Sequence, residues 1–261
     1  MSWHHQLYHL PYCILFLLEI IVFLTNRLLE CLYKPPLCLA CQFVQSHFCP
    51  WKKKGKKTGS IRTPEQKDPG NGVSVFQIVL ENPGLIPHMY GIITKQRLRG
   101  CTKIVDHVSY YVYVHLMQDL SLSDTLLYNA EMEKIMAQAG WTVKNYHADN
   151  GIFLDNGFID AINEKDGKLT FCGMGVYHQK GIIENKNVIL TTSDITILLH
   201  DIIMWPQMID KTFWPFSIKY VDERLNSLQI DLKGRTPEYI LNGIKVEYIT
   251  VKYYHMLFFP I

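Results

Sequence analysis

Runs of β-branched and aromatic residues recur along the chain from Val73 onward, and turn residues separate them. The runs at 73–80, 101–108 and 110–117 have strand composition, and the short junction between the last two predicts an antiparallel hairpin. The later pattern predicts, in order, a helix from Ser121 or Ser123 to Ala139, a strand at 142–147, a short helix at 156–163, a strand at 169–172, a long helix from 181 and a helix at 205–228. Strands alternating with helices in this way predict an α/β fold, with a sheet flanked by helices.

Two segments of different composition precede this α/β region. The first, residues 1–49, is rich in Cys, His and Leu, whereas residues 50–72 hold Lys, Gly, Pro and Thr with hardly any large apolar side chain. The second composition is typical of a linker. We therefore expect a small helical module at 1–49, a basic linker at 50–72, a core with trailing helices at 73–246 and a tail at 247–261.

The apolar residues are distributed as in a globular protein. They make up 48% of the 261 residues, which excludes whole-chain disorder. One stretch, from Leu10 to Leu24, raises the question of a membrane span, but it contains Pro11 and Glu19 and is shorter than the ~20 residues that a spanning helix needs. It predicts a buried amphipathic helix, so no membrane contact is expected.

The small net charge of +2 conceals a local concentration of cations. Six basic residues fall within one short part of the linker that contains no acid: Lys52, Lys53, Lys54, Lys56, Lys57 and Arg62. Such a cluster indicates contact with a polyanion such as nucleic acid. A solvated spacer is the alternative interpretation.

A possible metal site lies in the first module. His4 and His9 form an H-x4-H pair, and Cys38 and Cys41 form a C-x2-C pair. Zinc is bound by such nitrogen and sulfur ligands, four in a tetrahedron, and it stabilises segments too small to build a sufficient core. His5 is a competitor for the place of His4, and surface histidines with buried thiols remain the alternative.

Two carboxylates carry the candidate chemistry of the α/β region. Asp149 follows a predicted strand in YHADNGIF, and Glu184 lies in the first turns of a predicted helix in GIIENKN. Carboxylates placed in this way can meet at one sheet edge and hold magnesium. Taken separately, each has a simpler interpretation, as a turn residue and as an acid favoured by the helix dipole.

Together these motifs resemble the integrase region of copia-type LTR retrotransposons. The matching stretches are WHHQLYH, CLAC, the lysine-rich linker, YHADNGIF, GIIENKN and WPFSIKYVDERLN followed by GRTPEYIL, between Trp3 and about Val246. The resemblance implies an HHCC zinc module with His4, His9, Cys38 and Cys41 as ligands. It also implies an RNase H-like core, a mixed sheet flanked by helices, whose second and third catalytic carboxylates match Asp149 and Glu184.

Members of that family transfer DNA strands by metal-assisted transesterification. The resemblance therefore implies structural Zn²⁺, Mg²⁺ at Asp149 and Glu184, DNA as partner, a possible homo-oligomer and work in the nucleus. Lys186 and the linker lysines would contact phosphates without reading sequence.

The sequence departs from the family pattern at the first catalytic aspartate. The family has V-x-V-D-Q-x on the first core strand, and the matching stretch from Val73 to Ile78 has Phe76 in place of the aspartate. Since phenylalanine offers no metal ligand, we expect catalysis to be lost. Tyr8, in place of a glycine, and Lys180, in place of an amide, are further departures, and the chain is interpreted as a degraded fragment of a polyprotein.

Two alternative functions stay open at this point. In one, the protein is an active magnesium-dependent nuclease or strand transferase that uses Asp106, Asp149 and Glu184, although Asp106 at a hairpin end is more typical of a turn acid. In the other, the chain is a zinc-stabilised interaction module with no role on DNA. Metal-dependent nicking distinguishes the first alternative, and the absence of salt-sensitive DNA affinity distinguishes the second.

Overall fold

The computed structural model describes residues 9, 37–48, 68–86, 96–171, 181–228, 231 and 233–243. In the helix at 39–48 it describes the side chains up to residue 44, and in the helix at 181–204 it describes those from residue 188 onward. The strands are β1 (Val73–Gly84), β2 (Leu98–Asp106), β3 (Val112–Met117), β4 (Asn145–Ala148) and β5 (Lys168–Phe171). The helices are α1 (Leu39–Phe48), α2 (Leu122–Gln138), α3 (Asn156–Asn163), α4 (Gly181–Met204), α5 (Trp214–Leu228) and α6 (Pro237–Asn242), with 3₁₀ turns at Ile152–Leu154 and Lys211–Phe213.

The five strands form one mixed sheet in the order β3-β2-β1-β4-β5. The first three strands are an antiparallel meander, whereas β4 pairs parallel to β1 and β5 pairs parallel to β4. Parallel neighbours need a crossover connection, and α2 and α3 supply the two crossovers. The predicted mixed sheet flanked by helices is confirmed.

Strand alternation divides the core into two layers, one on each face of the sheet. Val73 and Val75 of β1 face α2 and α3, in a cluster that also contains Ile104, Tyr128, Met132, Met136, Tyr146, Ala148, Phe153, Phe158 and Ile162. Phe76 of the same strand faces α4 and α5, in a cluster with Cys101, Val105, Val112, Val114, Leu190, Ile197, Trp214, Ile218, Val221, Leu225 and Leu228. The central strand β1 is therefore covered on both faces.

Local signals in the sequence account for the ends of α2. The Ser121 hydroxyl accepts a hydrogen bond from the Asp124 backbone N–H, which satisfies one of the free donors of the first turn. At the other end Gly140 has a φ of +84°, a left-handed conformation that glycine adopts without strain. The predicted helix from Ser121 to Ala139 is confirmed to within one residue at each end.

The last long helix begins later than the sequence pattern predicts. The pattern predicts a helix from 205, but α4 ends at Met204 and α5 begins only at Trp214. Pro206 has no backbone N–H and cannot continue α4. The Asp210 carboxylate then accepts a hydrogen bond from the Thr212 backbone N–H, and this cap starts the 3₁₀ turn that leads into α5.

The N-terminal segment meets the core through α1, which packs against α4. The predicted helix over Leu10–Leu24, the linker lysines and the tail at 247–261 lie outside the described residues. Within the ranges that the structure does describe, no helix combines the length and apolar character needed to cross a bilayer.

Candidate active site and metal centre

The parallel pairing of β1 with β4 sets the geometry of the candidate active site. Val75 pairs with Ala148 at the end of the ladder, and the Asp149 backbone N–H donates to the Val75 carbonyl at 3.2 Å. Position 76 is therefore the direct neighbour of Asp149. Since Val75 faces α2 and α3, alternation turns Phe76 toward the other face of the sheet.

Phe76 lies in the central strand, next to the position of Asp149. Its ring is buried, at 8% exposure, in the cluster beneath α4 and α5. A hydrocarbon ring at this place fills the space next to the Asp149 backbone and offers no oxygen to a cation. Asp149 is half-buried, and its carboxylate accepts a hydrogen bond from the Asn150 backbone N–H at 2.9 Å.

Glu184 lies in the first turns of α4, as predicted. Later residues of the same helix, Leu190 and Ile197, pack in the cluster that contains Phe76, so α4 covers the sheet face toward which Phe76 points. The side chains of Glu184 and Lys186 lie outside the described residues. The helix that carries them is on the side of the sheet that a site with Asp149 requires.

Magnesium does not fit the described part of this site. Mg²⁺ is held by oxygen ligands in octahedral geometry, and a two-metal site needs a carboxylate shared between the ions. Phe76 supplies no oxygen, and its cross-strand partner on β2 is a lysine, Lys103, which is also buried. Position 76 thus offers an apolar ring, with a buried lysine as its neighbour on the adjacent strand.

The structure does not bring Asp106 to this site. Asp106 pairs with Val73, three residues before Phe76, which corresponds to about 10 Å along the strand. It lies on the sheet face of Val73, opposite to that of Phe76. Its carboxylate is fully buried and accepts four hydrogen bonds, from the backbone N–H groups of Gly70 (2.8 Å), Val108 (3.2 Å) and Ser109 (2.7 Å) and from the Ser109 hydroxyl (2.7 Å). Asp106 organises the turn between β2 and β3.

Three of the four predicted zinc ligands, His9, Cys38 and Cys41, lie close together. His9 Nδ1 lies 3.2 Å from Cys38 Sγ and 3.4 Å from Cys41 Sγ, and the three ligand atoms lie within 4.8 Å of one another. Cys38 directly precedes α1 and Cys41 lies in its first turn, so the helix start holds both thiols on one side. His4, the fourth predicted ligand, lies outside the described residues.

This group has the donor chemistry of a zinc site. Tetrahedral ligation with bonds of roughly 2.0 Å to nitrogen and 2.3 Å to sulfur separates such ligand atoms by about 3.5 Å, close to the distances observed here. Burial and the neighbouring Cys38 raise the pKa of Cys41 to about 12, so a thiolate at this place needs a nearby cation. The three side chains fit a zinc ion that takes one further ligand.

Sequence reasoning missed two residues near these groups. The His200 ring of α4 lies edge-on to His9, with ring centroids 4.9 Å apart, and no spacing motif connects the two. Lys103 shares one face of β2 with the buried Cys101 and Val105, and its burial becomes visible only once α4 and α5 pack over that face.

No protein-family profile and no curated protein matches this sequence. Solved structures do show similarity. The HTLV-2 integrase catalytic core domain in complex with magnesium has 16% identity and a TM-score of 0.47 over 67% of this chain and 97% of its own. The BIV integrase catalytic core domain has 12% identity and a TM-score of 0.44 over 66% of this chain and 93% of its own. The simian T-cell lymphotropic virus intasome in complex with PP2A regulatory subunit B56 gamma has 14% identity and a TM-score of 0.46 over 70% and 59%.

We predict that Asp106 is a structural residue. Replacing it with alanine (Asp106→Ala) removes the acceptor of four hydrogen bonds and leaves buried donors unpaired, which should lower the free energy of unfolding by about 2 to 4 kcal/mol. Asp160→Ala, at an exposed position of α3, is the control and should change it by less than about 0.5 kcal/mol. Urea unfolding measures both. Unchanged stability in Asp106→Ala would contradict the structural role.

Proposed function

We propose that the chain is an integrase-like, DNA-binding protein of copia-type retrotransposon origin in which strand transfer has been lost. The observation that carries this proposal is the position of Phe76 directly beside Asp149 on the central strand. The mixed sheet, the helix carrying Glu184 and the convergence of His9 with two cysteines agree with the motifs that resemble the family. Nuclear localisation and self-association belong to the same proposal.

Loss of catalysis follows from the chemistry of the first position. In-line phosphoryl transfer by two metal ions depends on clamping the attacking and the leaving oxygens at the same time. Asp149 and Glu184 retain carboxylates, but Phe76 contributes no ligand that could join two ions. The remaining pair is suited at most to one loosely held cation, coordinated largely through water.

DNA affinity in this proposal comes from the linker and from Lys186. Lysine side chains bind phosphates as point charges, and this contact positions DNA without reading its sequence. The zinc-stabilised module would hold the linker next to the core, because α1 packs against α4.

The linker lysines should dominate the salt dependence of DNA binding. The six clustered basic residues of the linker contribute at most about −5 to the log–log slope of affinity against salt on duplex DNA. Replacing Lys52, Lys53, Lys54, Lys56 and Lys57 with glutamine should flatten that slope by about 4 to 5, because each lost phosphate contact contributes about 0.9. Fluorescence anisotropy over a range of salt concentrations measures it.

The matched control replaces the same five lysines with arginine, which keeps the charge and should keep the slope. A slope that is equal in the glutamine and unmodified proteins would show that the linker is only a spacer. Absence of any salt-sensitive affinity in the unmodified chain would favour the interaction-module alternative.

The zinc site should hold one ion per chain. Cys38→Ser and Cys41→Ser should each lower the zinc content measured by mass spectrometry and lower Tm, because the ligand set is broken. Cys101→Ala is the control, since Cys101 is a buried thiol in the sheet core, and it should retain zinc. His4→Ala tests the fourth ligand. Full zinc content in Cys38→Ser would remove this part of the proposal.

The unmodified chain should bind DNA and show no strand transfer. With Mg²⁺ or Mn²⁺, a supercoiled plasmid and a duplex oligonucleotide should remain without nicks or joined products, because no two-metal site can form beside Phe76. Asp149→Asn serves as background control and should behave identically. Nicking by the unmodified chain that Asp149→Asn abolishes would show that the protein is an active enzyme.

A further inference from the structure

Lys103 is a buried lysine of β2, on the same sheet face as Phe76. Only 1% of its surface is exposed, and its cross-strand neighbours are Phe76 on β1 and Val114 on β3. Lysine is almost never fully buried unless it is paired. Its position thus needs a physical account that packing alone does not give.

The ammonium group has no hydrogen-bond partner among the residues that the structure describes. Its contact is with the Phe76 ring, whose centroid lies 5.8 Å from Nζ. A cation near an aromatic face gains some electrostatic attraction, but much less than it loses with its water shell. Burial accordingly lowers the pKa of Lys103.

Two acidic residues interact electrostatically with Lys103, and both already accept hydrogen bonds from other residues. Asp194 of α4 accepts a hydrogen bond from the Ser217 hydroxyl, and Asp222 of α5 accepts hydrogen bonds from the Val114 backbone and from the Asn226 amide. Burial raises the pKa of Asp194 to about 7 and that of Asp222 to about 8. Neither forms an ion pair with Lys103 within 4.0 Å in the described part of the chain.

From this geometry we infer that Lys103 is a second barrier to divalent-cation binding at position 76, separate from the missing carboxylate there. A carboxylate restored at position 76 would lie opposite the unpartnered ammonium group and pair with it instead of with a metal. The inference rests on the proposed function in one respect, the assignment of Phe76 to the first carboxylate position.

Two effects of the ammonium group act in the same direction. An ion pair with Lys103 occupies lone pairs of the restored carboxylate that a metal would need. The positive charge also repels a divalent cation, and within a buried site this repulsion is screened much less than in water. Removal of the phenyl ring alone is therefore insufficient to restore the site, and the charge at position 103 has to be removed as well.

The test compares four full-length proteins by calorimetric titration with MgCl₂ and MnCl₂ in the absence of DNA: the unmodified chain, Phe76→Asp, Lys103→Met and the double variant. Methionine has a similar shape to the lysine stem and no charge. The double variant should bind Mn²⁺ at least tenfold more tightly than Phe76→Asp. Lys134→Met combined with Phe76→Asp is the control, since Lys134 is exposed on α2, and it should bind as Phe76→Asp alone does.

Thermal unfolding without metal gives a second readout. Lys103→Met alone should raise Tm, because an unpartnered buried charge is removed. Phe76→Asp should lower Tm less in the presence of Lys103 than in the Lys103→Met background, because the introduced carboxylate has a partner only in the former. If the double variant does not fold, the Tm of Lys103→Met decides, and a lowered value overturns the inference.

Equal Mn²⁺ affinity in Phe76→Asp and the double variant, or no binding by either, would also overturn the inference. These outcomes are separate from failure of the proposed function, which would appear as absent DNA affinity or as nicking by the unmodified chain. The metal titrations contain no DNA and leave the linker unchanged.

Discussion

The parallel register between β1 and β4 is the constraint on which the candidate site depends. It pairs Val75 with Ala148 and so fixes position 76 as the neighbour of Asp149. Because side chains alternate along a strand, a slip by one residue would move Phe76 to the face of α2 and α3 and bury Val75 beneath α4. The side chain at position 76, a phenylalanine, therefore lies beside Asp149 and offers no ligand atom to a cation.

The two faces of the sheet differ in the kind of interior that they contain. The layer beneath α2 and α3 is built of large apolar side chains, such as Tyr128 and Phe158, at complete burial. The layer beneath α4 and α5 combines apolar packing with three ionisable groups, of which Lys103 and Asp194 are buried and Asp222 is half-buried. Buried charges are costly unless they are paired. Asp194 and Asp222 accept hydrogen bonds from their neighbours, whereas the Lys103 ammonium group has no such partner among the described residues.

Local sequence signals predicted the elements whose ends are determined by neighbouring residues. The β2–β3 hairpin and the caps of α2 belong to this class, since Ser121 and Gly140 act within one turn of their own positions. The sequence pattern predicts a strand from 142, but β4 begins at Asn145, because the Lys144 backbone N–H donates to the Gly70 carbonyl and that long-range bond cannot be inferred from a strand pattern. The sequence pattern also predicts too early a start for α5. Helix α4 ends at Met204, and the apolar periodicity across 205–213 conceals the non-helical connection that follows it.

For the site, the sequence located Asp149 and the helix of Glu184, because each lies next to the end of a regular element. The sequence does not show whether Asp106 lies beside them, because that depends on the strand order and on the sheet face to which each side chain points. Asp106 and Phe76 lie on adjacent strands, yet the alternation of β1 and β2 points them to opposite faces. Lys103 was missed for the same reason: a lysine in a strand is usually exposed, and only the packing of α4 and α5 over it shows that it is buried.

The central claim is that no pair of catalytic metal ions can assemble beside Phe76. Crystals of the unmodified full-length chain soaked in MnCl₂ test it most directly, by anomalous scattering measured at the manganese edge. The account predicts no pair of manganese peaks next to Asp149, and at most one weak peak whose ligands are mainly water. Two strong peaks about 3.5 to 4 Å apart, with the Asp149 carboxylate bound to one of them, would contradict it.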